Sequence, residues 1–287
     1  MWIGTVEASR DQPAAPTPGG APSTVTEADL DATGYTDVQA VLPQVAGVFT
    51  RTEDAWGLRP NIGIRGAGSD RSRKVTLTED GILFGPAPYS APAAYYFPLM
   101  GRMVGLDVYK GPSALLFGPH TTGGAVDLRA RRPVEEGRSA SLELAGGAHG
   151  FRRADGHISA ASGRFAFLLD AAYLGASGFK DLDGGGATGF DRGEVLATGG
   201  ARTGASRGEH AFELALGWSG ERSHETYVGL SDADFDEAPY RRYASSALDL
   251  MEWSRVTARA SHTWRPYAKD VELRTTFYRH GLSRRWG

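Results

Sequence analysis

Residues 59–98 read RPNIGIRGAGSDRSRKVTLTEDGILFGPAPYSAPAAYYFP, and residues 108–128 read VYKGPSALLFGPHTTGGAVDL. Short β-rich segments alternate here with turn residues. The strand candidates are Asn61–Arg65, Val75–Thr78, Leu106–Tyr109 and Ala125–Arg129, and the punctuation between them is Gly66-Ala67-Gly68, Asp80-Gly81 and Gly123-Gly124. Asp80-Gly81 directly after a strand candidate is a hairpin signal, because both residues tolerate the positive φ that a tight turn needs. Gly111, Gly118, Gly123 and Gly124 are expected at turns or where backbones approach closely.

Upstream, Thr26 followed by Glu27-Ala28-Asp29-Leu30 reads as a helix start with acids in its first turn. Thr36–Leu42 reads as a second short helix, with Thr36 as N-cap, Gln39 completing a capping box, and Val38, Val41 and Leu42 facing inward. Pro43 ends it, and Val45–Thr50 follows as a strand candidate. Residues 24–133 are therefore expected to form a small α+β domain with many loops.

The two quoted stretches resemble the plug domain of TonB-dependent outer-membrane receptors. The resemblance rests on an ordered series: Ile64-Arg65-Gly66, Asp80-Gly81, Lys110-Gly111-Pro112-Ser113, Phe117-Gly118-Pro119 and Gly123-Gly124-Ala125-Val126. Among subfamilies the chain is most similar to the ferric citrate type, a likeness that ETYVGLSDADFDEAPYRRYASS, residues 225–246, supports. The resemblance runs from about Ile3 onward. It implies a plug followed by an antiparallel transmembrane β-barrel of twenty-two strands. It also implies a TonB energy-coupling partner in the inner membrane, an iron(III) chelate as ligand and a Gram-negative outer-membrane location. Arg65, within its motif, is expected to pair plug with barrel wall rather than to bind ligand.

Residues 134–287 carry period-2 alternation. In Arg164–Gly175 the residues Phe165, Phe167, Leu169, Ala171 and Tyr173 share a face against Arg164 and Asp170, with Leu168 and Leu174 diluting the contrast. In Glu209–Ser219, Phe212, Leu214, Leu216 and Trp218 oppose Ala211, Glu213 and Ser219. In Trp253–Arg265, Val256, Ala258, Ala260 and Trp264 oppose Arg255, Thr257, Arg259, Ser261 and Arg265. In Lys269–His280, Val271, Leu273 and Phe277 oppose Glu272, Arg274, Tyr278 and His280. Weaker versions occupy 138–147, 151–161 and 193–203. These seven candidates are mostly about 10–13 residues long, which suits a membrane strand of about 9–11 residues better than a globular one of about 5–6. Three arginines on one strand face suit a wet lumen. Tyr173, Trp218, Trp253 and Trp264, near strand ends, fit an interfacial girdle. The connections near 161–164, 204–208 and 266–269 are short, whereas 176–192 and 222–252 are long, so both long loops are expected to face outside. Seven strands are too few to close a bacterial barrel, so the chain is expected to be an N-terminal piece with about seven of the twenty-two strands.

Residues 1–23 read as an extended lead-in containing Pro13, Pro16, Pro18 and Pro22, without the basic start and apolar run of a secretory signal. Trp2–Val6 partly resembles the segment the family presents to TonB. Composition narrows the remaining choices. Net charge is −3, and the pI of about 6.2 gives no basic balance for nucleic acid. Cysteine is absent, which excludes a disulfide framework and thiolate metal sites. Mean hydropathy is −0.32, a value that a β-barrel shares with soluble proteins because its strands alternate. The 39 glycines among 287 residues, roughly twice the usual ~7% share, suit many turns and packed strands.

Several motifs point elsewhere only superficially. Gly184-Gly185-Gly186-Ala187-Thr188-Gly189 fits G-x-G-x-x-G, but no helix is expected behind it. Asp181-x-Asp183-Gly184 and Asp232-x-Asp234-x-Asp236 do not carry the glycine and distal glutamate of an EF-hand calcium loop at the right positions. The seven histidines have no helical i, i+4 spacing for zinc, and no nucleophile elbow appears, so neither a resident metal or cofactor nor an enzyme is expected. The cluster Ser69-Asp70-Arg71-Ser72-Arg73-Lys74 is different. Arg71 and Arg73 can offer paired, charge-assisted hydrogen bonds to an anionic ferric hydroxycarboxylate, with Tyr89, Tyr95 and Tyr96 beside them; the competing reading is a plug surface salted against the barrel wall. The expected function is energy-coupled import of a ferric chelate, ferric citrate-like or another siderophore. The alternatives are a receptor for haem or cobalamin, a soluble plug-only binding module, or an inactive truncated fragment.

Overall fold

The computed structural model describes residues 3–9, 21–33, 37–53, 56–84, 91, 93, 95–118, 121–205, 208–267 and 271–287. The chain divides into two compact units, one of residues 11–131 and one of residues 1–10 together with 132–287. The chain opens with strand β1 (Ile3–Ser9). The first unit then contains β2 (Ser23–Thr26), α1 (Glu27–Thr33), α2 (Val38–Val41), β3 (Val48–Arg51), β4 (Asn61–Ile64), β5 (Val75–Glu79), β6 (Ile82–Leu83), β7 (Met103–Tyr109) and β8 (Gly124–Ala130).

These strands form a five-stranded sheet, β2-β7-β8-β5-β6, and a two-stranded sheet, β3-β4. Val75, Leu77, Leu106, Val108, Val126 and Leu128 from the larger sheet are buried, as are Val38, Val41, Leu42, Ile62 and Ile64. Helix α1 starts with a reciprocal cap: Thr26 N donates to Asp29 Oδ2 at 2.8 Å, and Asp29 N donates to Thr26 Oγ1 at 3.3 Å. Helix α2 is capped by Asp37, whose Oδ1 accepts from Gln39 N at 2.7 Å. The expected cap, Thr36, lies outside the described residues; Asp37 takes the role because it immediately precedes the first helical residue. Asp80 and Gly81 have φ of 52° and 77° and join β5 to β6 with Glu79 opposite Ile82, the hairpin the dipeptide predicts.

The second unit contains β9 (Gly137–Gly147), β10 (Phe151–Ser162), β11 (Phe165–Ala176), β12 (Asp181–Leu182), β13 (Phe190–Ala205), β14 (Gly208–Ser223), α3 (Asp232–Glu237), β15 (Arg241–Arg242), β16 (Met251–Arg265) and β17 (Glu272–Trp286). All seven expected long segments are strands, in an eight-stranded sheet ordered β1-β17-β16-β14-β13-β11-β10-β9 with antiparallel neighbours throughout. Strands β13, β14, β16 and β17 run to 15 or 16 residues, longer than the alternation predicts. The eighth strand comes from the lead-in segment. Ile3–Ser9 pairs with Glu272–Tyr278, where the edge of β17 offers unpaired backbone groups to an extended segment.

The two faces of this sheet are inverted relative to a water-soluble one. Phe165 is 71% exposed and Leu216 53%, and Leu142, Leu144, Phe212, Leu214, Trp218, Val256 and Phe277 are exposed with them. On the other face Arg192 and Glu194 are each only 2% exposed, and Asp155, Asp170, Glu221 and Arg255 are buried. Trp253 is a correction. It lies buried on the polar face, with the Arg192 guanidinium 5.2 Å from its ring centroid, and so is not part of an exposed girdle; Trp218 is exposed on the apolar face.

Candidate functional site

The motif residues of the first unit build its turns. Arg65 and Gly66 both have positive φ, 51° and 79°, and Ala67 N donates to Ile64 O at 3.0 Å, closing a tight turn after β4. The exposed Arg65 side chain runs past Gly111: a β-carbon on Gly111 would stand 2.8 Å from Arg65 Nη1. Gly118 ends a short 3₁₀ turn over Gly111–Phe117 with φ of 87°. Gly123 N donates to Lys74 O at 2.8 Å. Gly124, at φ 145°, leaves no room for a side chain, since a β-carbon would sit 2.6 Å from Tyr109 O and 2.8 Å from Ile64 Cδ1. Asp127 anchors the β5–β6 hairpin by accepting from Thr78 Oγ1 at 2.7 Å and Gly81 N at 2.8 Å. Burial pushes its carboxyl up to about 6 despite those two hydrogen bonds.

The basic cluster sits on a short turn tied to β4. Arg71 adopts φ 49°, and its N–H donates to Asn61 Oδ1 at 2.7 Å. Ser72, fully buried, donates to Pro60 O at 2.7 Å and accepts from Ile62 N at 2.9 Å. Arg73 pairs with Asp70 at 2.9 Å, and Arg51 reaches the same carboxylate at 3.5 Å. Arg51 and Arg73 thus share one aspartate, with Arg71 and Lys74 adjacent in sequence and Glu53 accepting from Asn61 Nδ2 at 2.8 Å. This local excess of positive charge is what an anion needs.

The tyrosines do not join this cluster as expected. Tyr95 is buried, and Tyr96, 1% exposed, meets Phe84 edge-on at 5.8 Å between ring centroids; Phe84 also meets Phe97 at 5.5 Å. Ring area drives both tyrosines into the core, so they support the loop rather than offering a contact surface. Tyr89 lies outside the described residues.

Residues 17–125 match the family model of the TonB-dependent receptor plug domain. Solved structures match the chain well beyond that segment. The unliganded ferric citrate transporter FecA superposes with a TM-score of 0.68 at 20% identity, over 86% of this chain and 38% of that one. The ferric yersiniabactin uptake receptor FyuA from Yersinia pestis gives 0.70 at 15% identity, over 93% and 42%. The siderophore receptor PirA from Acinetobacter baumannii gives 0.59 at 15% identity, over 85% and 37%. Residues 17–125 are thus a plug domain of the TonB-dependent receptor type, and the chain as a whole shares the fold of these solved structures. It spans about two-fifths of the length of the structures it matches. Within that span the receptor fold is a plug followed by antiparallel barrel-type strands.

The sequence leaves two further features of the strand unit unread. Its polar face is wired by ion pairs: Arg192 contacts Glu194 at 3.0 Å and Glu221 at 3.6 Å, Glu213 takes both Arg132 at 2.8 Å and Arg259 at 2.9 Å, and Arg153 bridges Glu143 and Asp155. The two long loops of the strand unit are also clasped. Strand β12 pairs in parallel with β15, and Arg241 holds Asp183 at 3.1 Å and Asp234 at 2.8 Å. One acid from each calcium-like motif is therefore engaged by the same guanidinium. The Gly184–Gly189 stretch leads into strand β13 rather than a helix, so it lacks a dinucleotide-binding context.

Proposed function

We propose that this chain is the plug and first barrel strands of an outer-membrane receptor that imports an anionic ferric chelate, ferric citrate or a related siderophore, with a TonB-type partner supplying the energy. One observation carries the reading: a sheet with apolar side chains exposed on one face and buried charge on the other, in the same chain as a receptor plug. Such a sheet is at home with lipid on one side and a wet lumen on the other. FecA is named a ferric citrate transporter, and FyuA and PirA are named for ferric yersiniabactin and siderophores. The charge around Arg71 and Arg73 supports an anionic complex as cargo, because guanidinium forks bind carboxylates in pairs.

In this reading the basic cluster of the plug unit holds the ligand. Arg71 and Arg73 engage its carboxylates, with Arg51 sharing Asp70. Binding then competes with Asp70 for the Arg73 fork, which couples occupancy to the turn after β4. The test is ferric citrate binding by the receptor in detergent, comparing the parent with Arg71→Ala/Arg73→Ala. The expected result is at least about tenfold weaker binding. Equal affinity removes these arginines from the site, and partition of the receptor away from outer-membrane fractions removes the transport reading itself.

A further inference from the structure

A cavity of about 310 Å³ lies in the strand unit, at the end of the sheet that carries the short turns. Arg132, Arg164, Arg202 and Arg274 line it, against only two carboxylates, Glu135 and Glu213. Register explains how the arginines converge. Arg202, Ala211, Thr263 and Arg274 form one continuous row across β13, β14, β16 and β17. Directly opposed residues on neighbouring strands point to the same face. From β13 to β17 the row has a guanidinium at each end and two short side chains between, and β1 continues it with Glu7 at the register position opposite Arg274. Arg164 joins it from the β10–β11 turn, where its carbonyl accepts from Arg202 N at 2.8 Å. The carboxylates are already engaged: Glu213 by Arg132 and Arg259, and Glu135 by Arg202 at 3.2 Å. Arg164 and Arg274 make no ion pair with any described carboxylate.

We propose that this cavity is a binding site for a small multivalent oxyanion, a polycarboxylate or a phosphate. Four guanidinium groups around a space of this size repel one another, and an anion with two or more negative charges relieves that repulsion while giving Arg164 and Arg274, which pair with no described carboxylate, a partner. The short residues Ala211 and Thr263 leave the room it needs. The site lies at the opposite end of the strands from the long loops, so its use as a last station for an anionic cargo rests on the import reading; the binding itself does not.

The experiment is calorimetric titration of the full chain in detergent at low ionic strength, with metal-free citrate, inorganic phosphate and acetate as separate probes. Citrate or phosphate is expected to bind and acetate, with one charge, to give no measurable heat. Arg164→Gln/Arg274→Gln is expected to weaken binding about tenfold or more, whereas Arg164→Lys/Arg274→Lys, which keeps the charge, retains part of it. Equal heats for the three anions, or unchanged binding in the Gln variant, overturn the site. A parallel titration with ferric citrate separates the two claims. Loss of ferric citrate binding with the cavity response intact sinks import and leaves the cavity, and the reverse result sinks the cavity alone.

Discussion

The plug and the strand sheet solve the burial problem in opposite ways. In the plug, Val75, Leu77, Leu106 and Leu128 are hidden. In the strand sheet, Phe212, Leu214, Leu216 and Trp218 are exposed while Arg192 and Glu194 are hidden. Both follow from one rule applied in different surroundings. Apolar area leaves water wherever it can, and charge is buried only when paired. In water the first requirement makes a core; for a strand facing lipid it is met by the solvent itself. The lesson is that alternation alone does not say which face is inside. Strand length and the identity of the polar face decide that.

The sharpest way to break this comparison is to remove a buried charge from one region and a buried hydrocarbon from the other. Arg192→Ala leaves Glu194 and Glu221 buried without their guanidinium and is expected to cost about 3–5 kcal/mol in denaturant unfolding of the strand unit. Leu106→Ala in the plug is expected to cost a comparable ~2–5 kcal/mol by cavity formation. Replacing Arg192, Glu194 and Glu221 together by Met, Leu and Leu should recover most of the first loss and thereby separate a cost of broken pairing from a need for charge. A cost near zero for Arg192→Ala means the polar face is hydrated rather than buried.

The second test exchanges the surroundings. Leu216→Arg places a charge on the exposed apolar face and is expected to cost about 2–4 kcal/mol when folding is measured into lipid vesicles. The same variant should fold like the parent in a detergent micelle that deforms around the charge. Equal behaviour in both media would mean that the exposed face does not meet lipid.

Much of this contrast was legible in the sequence. The seven long strands declared themselves because period 2 sustained over ten or more residues fits a strand and does not fit a helix. The Asp80-Gly81 hairpin did so because positive φ at two successive positions restricts residue choice. Trp253 was misread because an aromatic residue near a strand end suits either face, and only register with Arg192 assigns it. Tyr95 and Tyr96 were misread because a Pro- and Ala-rich loop looks exposed, whereas ring burial is a tertiary event. The clasp between the long loops joins residues 58 positions apart, and the stacked pair His210–His262, at 2.9 Å, joins residues 52 apart. Neither leaves a local trace. The basic cluster was visible as composition, but its ties through Asn61 and Ser72 were not.

A third prediction concerns a charge inside the plug. The Asp127 carboxyl is raised to about 6 in the folded plug, above its ordinary unfolded value of about 3.9. The protonated form is therefore favoured by folding. Its contribution is fully present below about pH 4 and is lost as pH rises through about 6, a change on the order of 2 kcal/mol. Thermal unfolding between pH 4 and 7 should show plug stability falling over that window, and Asp127→Asn should flatten the profile. A parallel slope in the variant assigns the titration to another group.

The smallest effect is expected at the loop clasp, where the groups are largely solvated. Arg241 holds two carboxylates from different parts of the chain, and Tyr243 Oη donates to Asp234 at 2.5 Å while Ser231 Oγ donates to the same carboxylate at 2.6 Å. The hydrogen bonds from Ser231 and Tyr243, then the nearby Arg241, hold the Asp234 carboxyl below its usual range. That contribution is present above the unfolded value of about 3.9 and disappears as pH falls through the lower folded one. Arg241→Gln removes the shared partner but leaves the β12–β15 backbone pairing, so the loops should loosen without unfolding. The expected readout is hydrogen exchange a few-fold faster, roughly two- to fivefold, confined to residues 181–189 and 225–246, with the long strands unchanged. High salt should produce part of the same change in the parent, since exposed ion pairs are screened. Faster exchange in only one loop means that each is held by its own contacts. Faster exchange in both makes the guanidinium the element through which two distant loops respond as one.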